Sequence, residues 1–438
     1  MRGKRVLQFP ASCLRVESSY LMTHGWPSSF ASLPPRIQSQ LDQLLTKMED
    51  GVTRYIGFPN ALDLQTNECL SKFLSYPINN IGDPFIMNAG LHTCELEQEL
   101  LRFSMDLLHL QDPNDRWGYV TTGSTESNTY GLMLGRDIYP DCILFFSADA
   151  HYSLPKIAHM LRMEAVIVAS DDGGEIDYDA LRDTLKTRCA QTGRPPVLCC
   201  NVGTTMKGAI DKPERFLAIC DELGLEDRYI HCDAALLGLM LPFLEGAPIA
   251  DFRLPIGSLS FSGHKFPGSP IPCGTVLTRT STISNTQHLR WRRENNAEYV
   301  GSIDTTISGS RDGISVLTLW LQLMRFGREG LRERVLHCMA MVELAASTMR
   351  EHDIPCYHHP FSNTLVFPQP SPLLLRRWML AAQGETLAHI VLMPGTGPEK
   401  IAQFIDEIHD DAGMRLSARN FRIPKIEKPP ATPSPIAS

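Results

Sequence analysis

Hydrophobic positions recur along this chain with two periods, which mark out alternating helices and strands. Leu96, Leu100, Phe103, Leu107 and Leu110 step by 4, 3, 4 and 3, one face of an amphipathic helix. A short β-prone run from Trp117 to Thr122 leads through Gly123-Ser124-Thr125-Glu126-Ser127-Asn128 into helical composition over Thr129 to Arg136. The pattern then predicts a strand at Cys142–Phe146, a helix at Pro155–Arg162 and a strand at Ala165–Ala169. A continuous apolar strand at Pro196–Val202, a helix at Pro213–Leu223 and a strand at Tyr229–Cys232 follow. Ser258 to Ser262 alternates apolar and small residues and stops at Gly263. Val335, Met339, Val342, Ala346 and Met349 mark another helix face. From Ile354 the expectation is strand (Thr364–Phe367), helix (Pro372–Gln383), strand (His389–Met393) and helix (Pro398–Ala412). Strands alternating with helices imply an α/β fold with a mainly parallel sheet covered on both faces, followed by a compact α+β unit.

Composition narrows the class. With 438 residues, 43% hydrophobic and 21% charged, the chain fits a globular protein with a large and a smaller domain. A net charge of -8 and no Lys/Arg-dense stripe argue against a nucleic-acid partner, and no uncharged apolar run is long enough to cross a bilayer. The twelve cysteines are scattered, and no signal peptide is visible. They read as buried free thiols in a reducing, cytoplasmic setting. The first 35 residues, mixing basic, Ser and Pro, read as a structured arm or an overlong start, with a transit-like extension as the alternative. Five prolines between Pro424 and Ser438 predict a disordered tail.

Candidate chemistry gathers at predicted strand ends, where parallel sheets bind ligands. Lys265, beside His264, ends one such run ahead of a Pro/Gly turn, and a partly desolvated amine there is easier to deprotonate. Strand, Gly-Ser-Thr turn and helix at 117–136 aim N–H groups and the Ser124 and Thr125 hydroxyls at an anion, or supply an ordinary N-cap. Asp233, His151 and Thr204 also fall at strand ends; His151 could stack on a flat ligand or cap the next helix. Together an amine, an anion cradle, a carboxylate and a flat ring suit an aldehyde cofactor with a phosphate and a basic ring nitrogen.

The ordered set Trp117–Thr121, Asp149–Ser153, Asn201–Thr205, His231–Ala235, Ser262–Lys265 and Gly309–Arg311 resembles group II pyridoxal-phosphate amino-acid decarboxylases. Within them it is similar to the bacterial histidine decarboxylase and plant serine decarboxylase branch, over about residues 55 to 410. The resemblance implies a type I pyridoxal-phosphate fold, with a seven-stranded-type sheet and a small C-terminal domain. It implies an arm over 1–54, a large domain over 55–325, a small one over 326–422 and a tail over 423–438. It also implies a homodimer with the site at the subunit interface, and loss of CO2 from an L-amino acid, histidine or serine. Lys265 matches the lysine that bonds the cofactor aldehyde, Asp233 the carboxylate at the pyridine nitrogen, and His151 the ring-stacking histidine. His264 matches a residue near the phosphate, and Tyr299 the loop tyrosine that protonates Cα. Ser310 and Arg311 match a segment approaching the cofactor, from this subunit or its partner. One departure stands out: two glycines of the family's phosphate turn are here Ser124 and Ser127.

Other readings use the same residues differently. Transamination or aldol cleavage would run on the same cofactor. His231 and Asp233, two apart on a strand and joined by His264, could instead hold a metal for hydrolysis, although no metal is expected. A catalytically dead homologue would have no use for both Lys265 and Asp233.

Overall fold

The computed structural model describes residues 33–64, 70–86, 90–286 and 304–426. The chain divides into two compact units, Met1–Thr53 and Arg54–Ser438. The described part of the first is helix α1, Pro35–Thr53, whose apolar stripe (Ile37, Leu41, Leu44, Leu45, Met48, Val52) is exposed.

In the second unit the strands are β1 (Asn79–Ile81), β2 (Trp117–Thr121), β3 (Ile143–Ser147), β4 (Glu164–Val168), β5 (Pro196–Asn201) and β6 (Tyr229–Asp233). They continue as β7 (Ser258–Ser262), β8 (Gly274–Thr278), β9 (Ser310–Asp312), β10 (Thr364–Pro368), β11 (Ala381–Gln383) and β12 (Leu387–Val391). The helices that matter here are α2 (Cys94–Leu107), α3 (Ser124–Ile138), α4 (Ser153–Leu161), α5 (Tyr178–Leu185), α6 (Pro213–Glu222), α7 (Gly313–Glu351) and α8 (Pro398–His409).

Seven strands form the main sheet in the order β2-β8-β7-β6-β5-β3-β4. All pairings are parallel except those of β8, which runs against both neighbours. The continuous apolar runs exist because both faces are covered. Ile143, Phe145, Leu198 and Cys200 face one core with α2, while Leu144, Phe146, Val197 and Cys199 face the other beneath α3 and α4. Each large side chain removed from water contributes about 1.5–3 kcal/mol. Phe367 and Ile390 of the small sheet, β10-β12-β11, and Trp378 just before β11 share one core with Phe404 of α8. The family's fold class is present: a large, mostly parallel sheet of seven strands with a smaller C-terminal sheet and helices.

Some expected elements differ. Helix α2 stops at Leu107, and His109 turns the chain with φ +61, so Leu110 is buried but not helical. The helix expected over Pro372–Gln383 ends at Arg377; Met379 takes φ +50, and Ala381–Gln383 pairs with β12. The helix expected over Pro398–Ala412 ends at His409, and a separate helix begins at Ala412. Helix α7 starts where Asp312 accepts the N–H groups of Ile314 and Ser315, and it kinks at Gly327. The ten cysteines among the described residues are all free and buried. No described helix is long and apolar enough to cross a membrane.

Candidate active site

Strand β7 reads Ser-Leu-Ser-Phe-Ser, and its period of two sorts the side chains. Leu259 and Phe261 enter the core beneath the sheet. Ser258, Ser260 and Ser262 bond partners on the other side, at His231, Asn128 and Ser124 respectively. Gly263 follows; a Cβ there would meet Cys273 Sγ at 2.6 Å and Leu319 at 3.0 Å, so the turn to Lys265 is pressed against the core. Lys265 opens into a cavity of about 310 Å3 at the carboxyl ends of the parallel strands. Among the described residues nothing bonds its amine. Burial lowers its pKa, and Asp233, which lines the same cavity, acts in the opposite direction.

Asp233 ends β6, in register with Asn201 on one side and Ser260 on the other. Asn128 Nδ2 donates to its Oδ2 at 2.7 Å, and the Ala235 N–H to its Oδ1 at 3.2 Å. Both amide hydrogens of Asn201 are taken, by Ser147 and Asp211, so only its carbonyl is left for the cavity.

Helix α3 starts at the lip of the same cavity. Gly123 is the cap, with φ +156 and ψ 166, a conformation that suits glycine. Ser124 and Thr125 lie inside the helix, no side chain caps it, and both residues line the cavity beside the first-turn N–H groups. The N-cap alternative for these hydroxyls therefore does not hold. Helical backbone also explains how serine replaces glycine at 124 and 127 without strain. Ser124 Oγ lies 2.5 Å from Ser262 Oγ, and Ser127 Oγ lies 2.7 Å from Thr121 Oγ1. Gly274 of β8 makes the close approach possible, since a Cβ would meet Gly123 C and Ser124 N at 2.8 Å.

The remaining expected residues divide. His151, Thr204 and His264 line the cavity. His151 Nδ1 accepts the N–H of Ser153, the first residue of α4, at 3.3 Å and lies 2.8 Å from its Oγ, and the ring rests on Tyr152 with centroids 4.2 Å apart. Burial lowers the pKa of His151, Asp233 opposes this and Lys265 adds to it. The buried Thr204 holds the Ala209 N–H, and His264 Nδ1 is tied to the backbone of Cys273. Ser310 and Arg311 do not line the cavity. Ser310 is exposed at the β1–β9 edge, and Arg311 is buried against Glu97. Tyr299 lies outside the described residues.

Sequence reasoning missed Asn128, Ser262 and Asn201, whose partners are distant in the chain. It also missed the ion pair between Lys207 and Asp149, 3.2 Å, which ties the loop carrying His151 to the one after Thr204. Both ring nitrogens of His231 are occupied, by Ser258 and Asn128, so it has no lone pair for a metal. An amine without a partner among the described residues, a carboxylate lining the same cavity and a helix start presenting N–H groups and two hydroxyls fit an aldehyde that carries a basic ring and a phosphate.

The chain belongs to the pyridoxal-dependent decarboxylase family, whose conserved domain it matches over residues 43–354. It is therefore a carboxy-lyase that depends on pyridoxal phosphate. It is 39% identical to serine decarboxylase 3 of Oryza sativa subsp. japonica, over 82% of this chain and 78% of that one. It is 34% identical to a histidine decarboxylase of Mesorhizobium japonicum, over 86% of this chain and 98% of the other. Among solved structures it is similar to L-methionine decarboxylase from Streptomyces sp. 590, with a TM-score of 0.78 and 26% identity, covering 89% of this chain and 97% of that one.

Proposed function

We propose that this chain converts L-serine or L-histidine to ethanolamine or histamine with release of CO2. Serine and histidine decarboxylases among its relatives support the choice of substrate. The observation that carries the assignment of the site is the amine of Lys265, without a partner among the described residues, sharing one cavity with Asp233 and the start of α3.

When bound, pyridoxal phosphate supplies the electron sink that takes up the pair left on the substrate Cα as CO2 departs. Lys265 would hold the aldehyde carbon, because burial favours its neutral, nucleophilic amine. Asp233 would keep a proton on the ring nitrogen, since a nearby carboxylate favours the cation in a desolvated site. Ser124, Thr125 and the first-turn N–H groups of α3 would hold the phosphate, with Ser262, Thr204 and His264 beside them. His151, neutral through burial, would lie against the ring face and narrow the reaction to the bond facing it. Tyr299 would return a proton to Cα. Exclusion of water would help, because a carboxylate that becomes CO2 loses its charge.

The reading extends to a homodimer with the site at the interface and Ser310 exposed toward the partner. Exposed apolar residues in one stretch, Phe73, Leu74, Tyr76, Ile86 and Leu91, support such an interface. Free buried thiols support a cytoplasmic location. The test is to load the protein with pyridoxal phosphate, offer each L-amino acid and identify any amine. Ethanolamine or histamine with matching CO2 is expected. No amine from any amino acid, or turnover retained by Lys265→Ala, refutes the assignment.

A further inference from the structure

Beside Asp233, buried side chains from three elements form one hydrogen-bonded chain that reaches the cavity wall at Asn128. Tyr229 O–H donates to Ser258 Oγ at 2.8 Å. Ser258 Oγ lies 2.8 Å from His231 Nδ1, and His231 Nε2 lies 3.0 Å from Asn128 Oδ1. Ser260 O–H donates to the same Asn128 oxygen. Asn128 Nδ2 then donates to Asp233 at 2.7 Å. All six residues are buried.

The direction of this chain follows from proton counting. The Asp233 carboxylate accepts from Asn128 Nδ2, so the amide oxygen faces His231 Nε2 and the imidazole's Nδ1 is left to accept the Ser258 proton. Burial keeps the imidazole neutral, so its one N–H is on Nε2 and points at the Asn128 carbonyl. With donors from His231 and Ser260 both meeting that oxygen, the amide cannot turn over. Its NH2 therefore always faces Asp233. A reversed amide would set its oxygen against a carboxylate oxygen at 2.7 Å.

We infer that His231 is a positioning residue for the cofactor's ring nitrogen: with Ser260 it locks Asn128, and the locked amide holds Asp233 as an acceptor aimed into the cavity. The fold makes room for it deliberately. Cβ atoms at Gly131 and Gly135 of α3 would meet the His231 ring at 2.3 Å and the Tyr229 ring at 2.8 Å, so the helix approaches on its glycines. The inference rests on the reading of Asp233 as the partner of the ring nitrogen.

The test uses the full chain and pyridoxal 5'-phosphate labelled with 15N in the ring, without substrate. Two readouts are taken: the coenzyme dissociation constant and the ring-nitrogen resonance, which a purely structural role would not move. The double variant His231→Leu/Ser260→Ala frees the amide. It should bind coenzyme about tenfold more weakly, the size of one hydrogen bond to a charged group, and shift the resonance toward the unprotonated ring. His231→Gln/Ser260→Ala returns an N–H donor to the place of Nε2 and should restore both. Ser258→Ala/Ser260→Ala removes only two hydroxyls and carries the test if the leucine variant does not fold; it should move both readouts in the same direction. A folded double variant with wild-type affinity and resonance overturns the inference. If Asp233→Ala also leaves the resonance unmoved, the reading of Asp233 falls with it; if Asp233→Ala shifts it, only the role of His231 falls.

Discussion

A single methyl group at Gly131 offers a direct probe of how tightly α3 is seated on the sheet. In Gly131→Ala the new Cβ would lie 2.3 Å from His231 Nδ1, 2.5 Å from its Cε1 and 2.8 Å from Ser258 Oγ. Ordinary contact is about 3.5–4 Å, so the ring must retreat by more than about 1 Å. It has no free direction: it is fully buried and tied at 2.8 and 3.0 Å through its two nitrogens. Overpacking costs about 1–3 kcal/mol, and a buried polar group stripped of its partner about 1–3 kcal/mol more. Alanine returns roughly 1 kcal/mol in helix propensity. The net expectation is a loss of about 3 kcal/mol. Gly309→Ala is the control, because a Cβ there meets nothing within 4 Å and the expected change is within about 0.5 kcal/mol. Urea midpoints of the two variants, with and without coenzyme, measure the difference. If Gly131→Ala unfolds at the same urea concentration as Gly309→Ala, the close seating of α3 on His231 is wrong.

Three further outcomes are expected. Burial pushes His231 down to about 4 from its ordinary 6.5, so the unfolded chain takes up the proton first as pH falls. Stability should therefore be level above pH 6.5 and decline toward pH 4, by about 3 kcal/mol from this residue. His231→Gln should flatten that part of the decline in urea midpoints taken across pH; an unchanged slope contradicts it. Asp211 accepts N–H bonds from Ile176 and from both the backbone and side chain of Asn201, each at 2.8 Å. Asp211→Asn turns an NH2 against those donors and should cost about 2–3 kcal/mol by chemical denaturation. Glu97→Gln leaves the buried Arg311 guanidinium without its counter-charge and should cost about 3–5 kcal/mol in the same assay.

The sheet and the lip of the cavity were legible because apolar runs and strand ends are local signals. Lys265, Asp233, His151, Thr204, Ser124 and Thr125 each sit where a run stops, and they line one cavity. Asn128 was not legible, because its role depends on Asp233 and Ser260, which lie 105 and 132 positions away. The alternation at Ser258–Ser262 was visible, but it did not reveal that the serines' hydroxyls meet α3 and β6. Arg311 is the converse case. Its place in a family segment suggested the cofactor, whereas its partner Glu97 lies 214 positions away and takes it into the interior. Strand β11 was hidden for a backbone reason: a helical composition continues past Arg377, but the left-handed turn at Met379 breaks it.

The thiols buried in the two cores make the protein its own stopwatch. Burial pushes the Cys199 thiol up, and the Cys273 thiol up to about 12, so neither reacts while the fold is closed. With Cys13 and Cys69, outside the described residues, exchanged for serine, a thiol dye finds its targets only when packing lets go. Leaving Cys199 alone in one variant and Cys356 alone in another would time the release of the large sheet and of the C-terminal core separately, in one tube each.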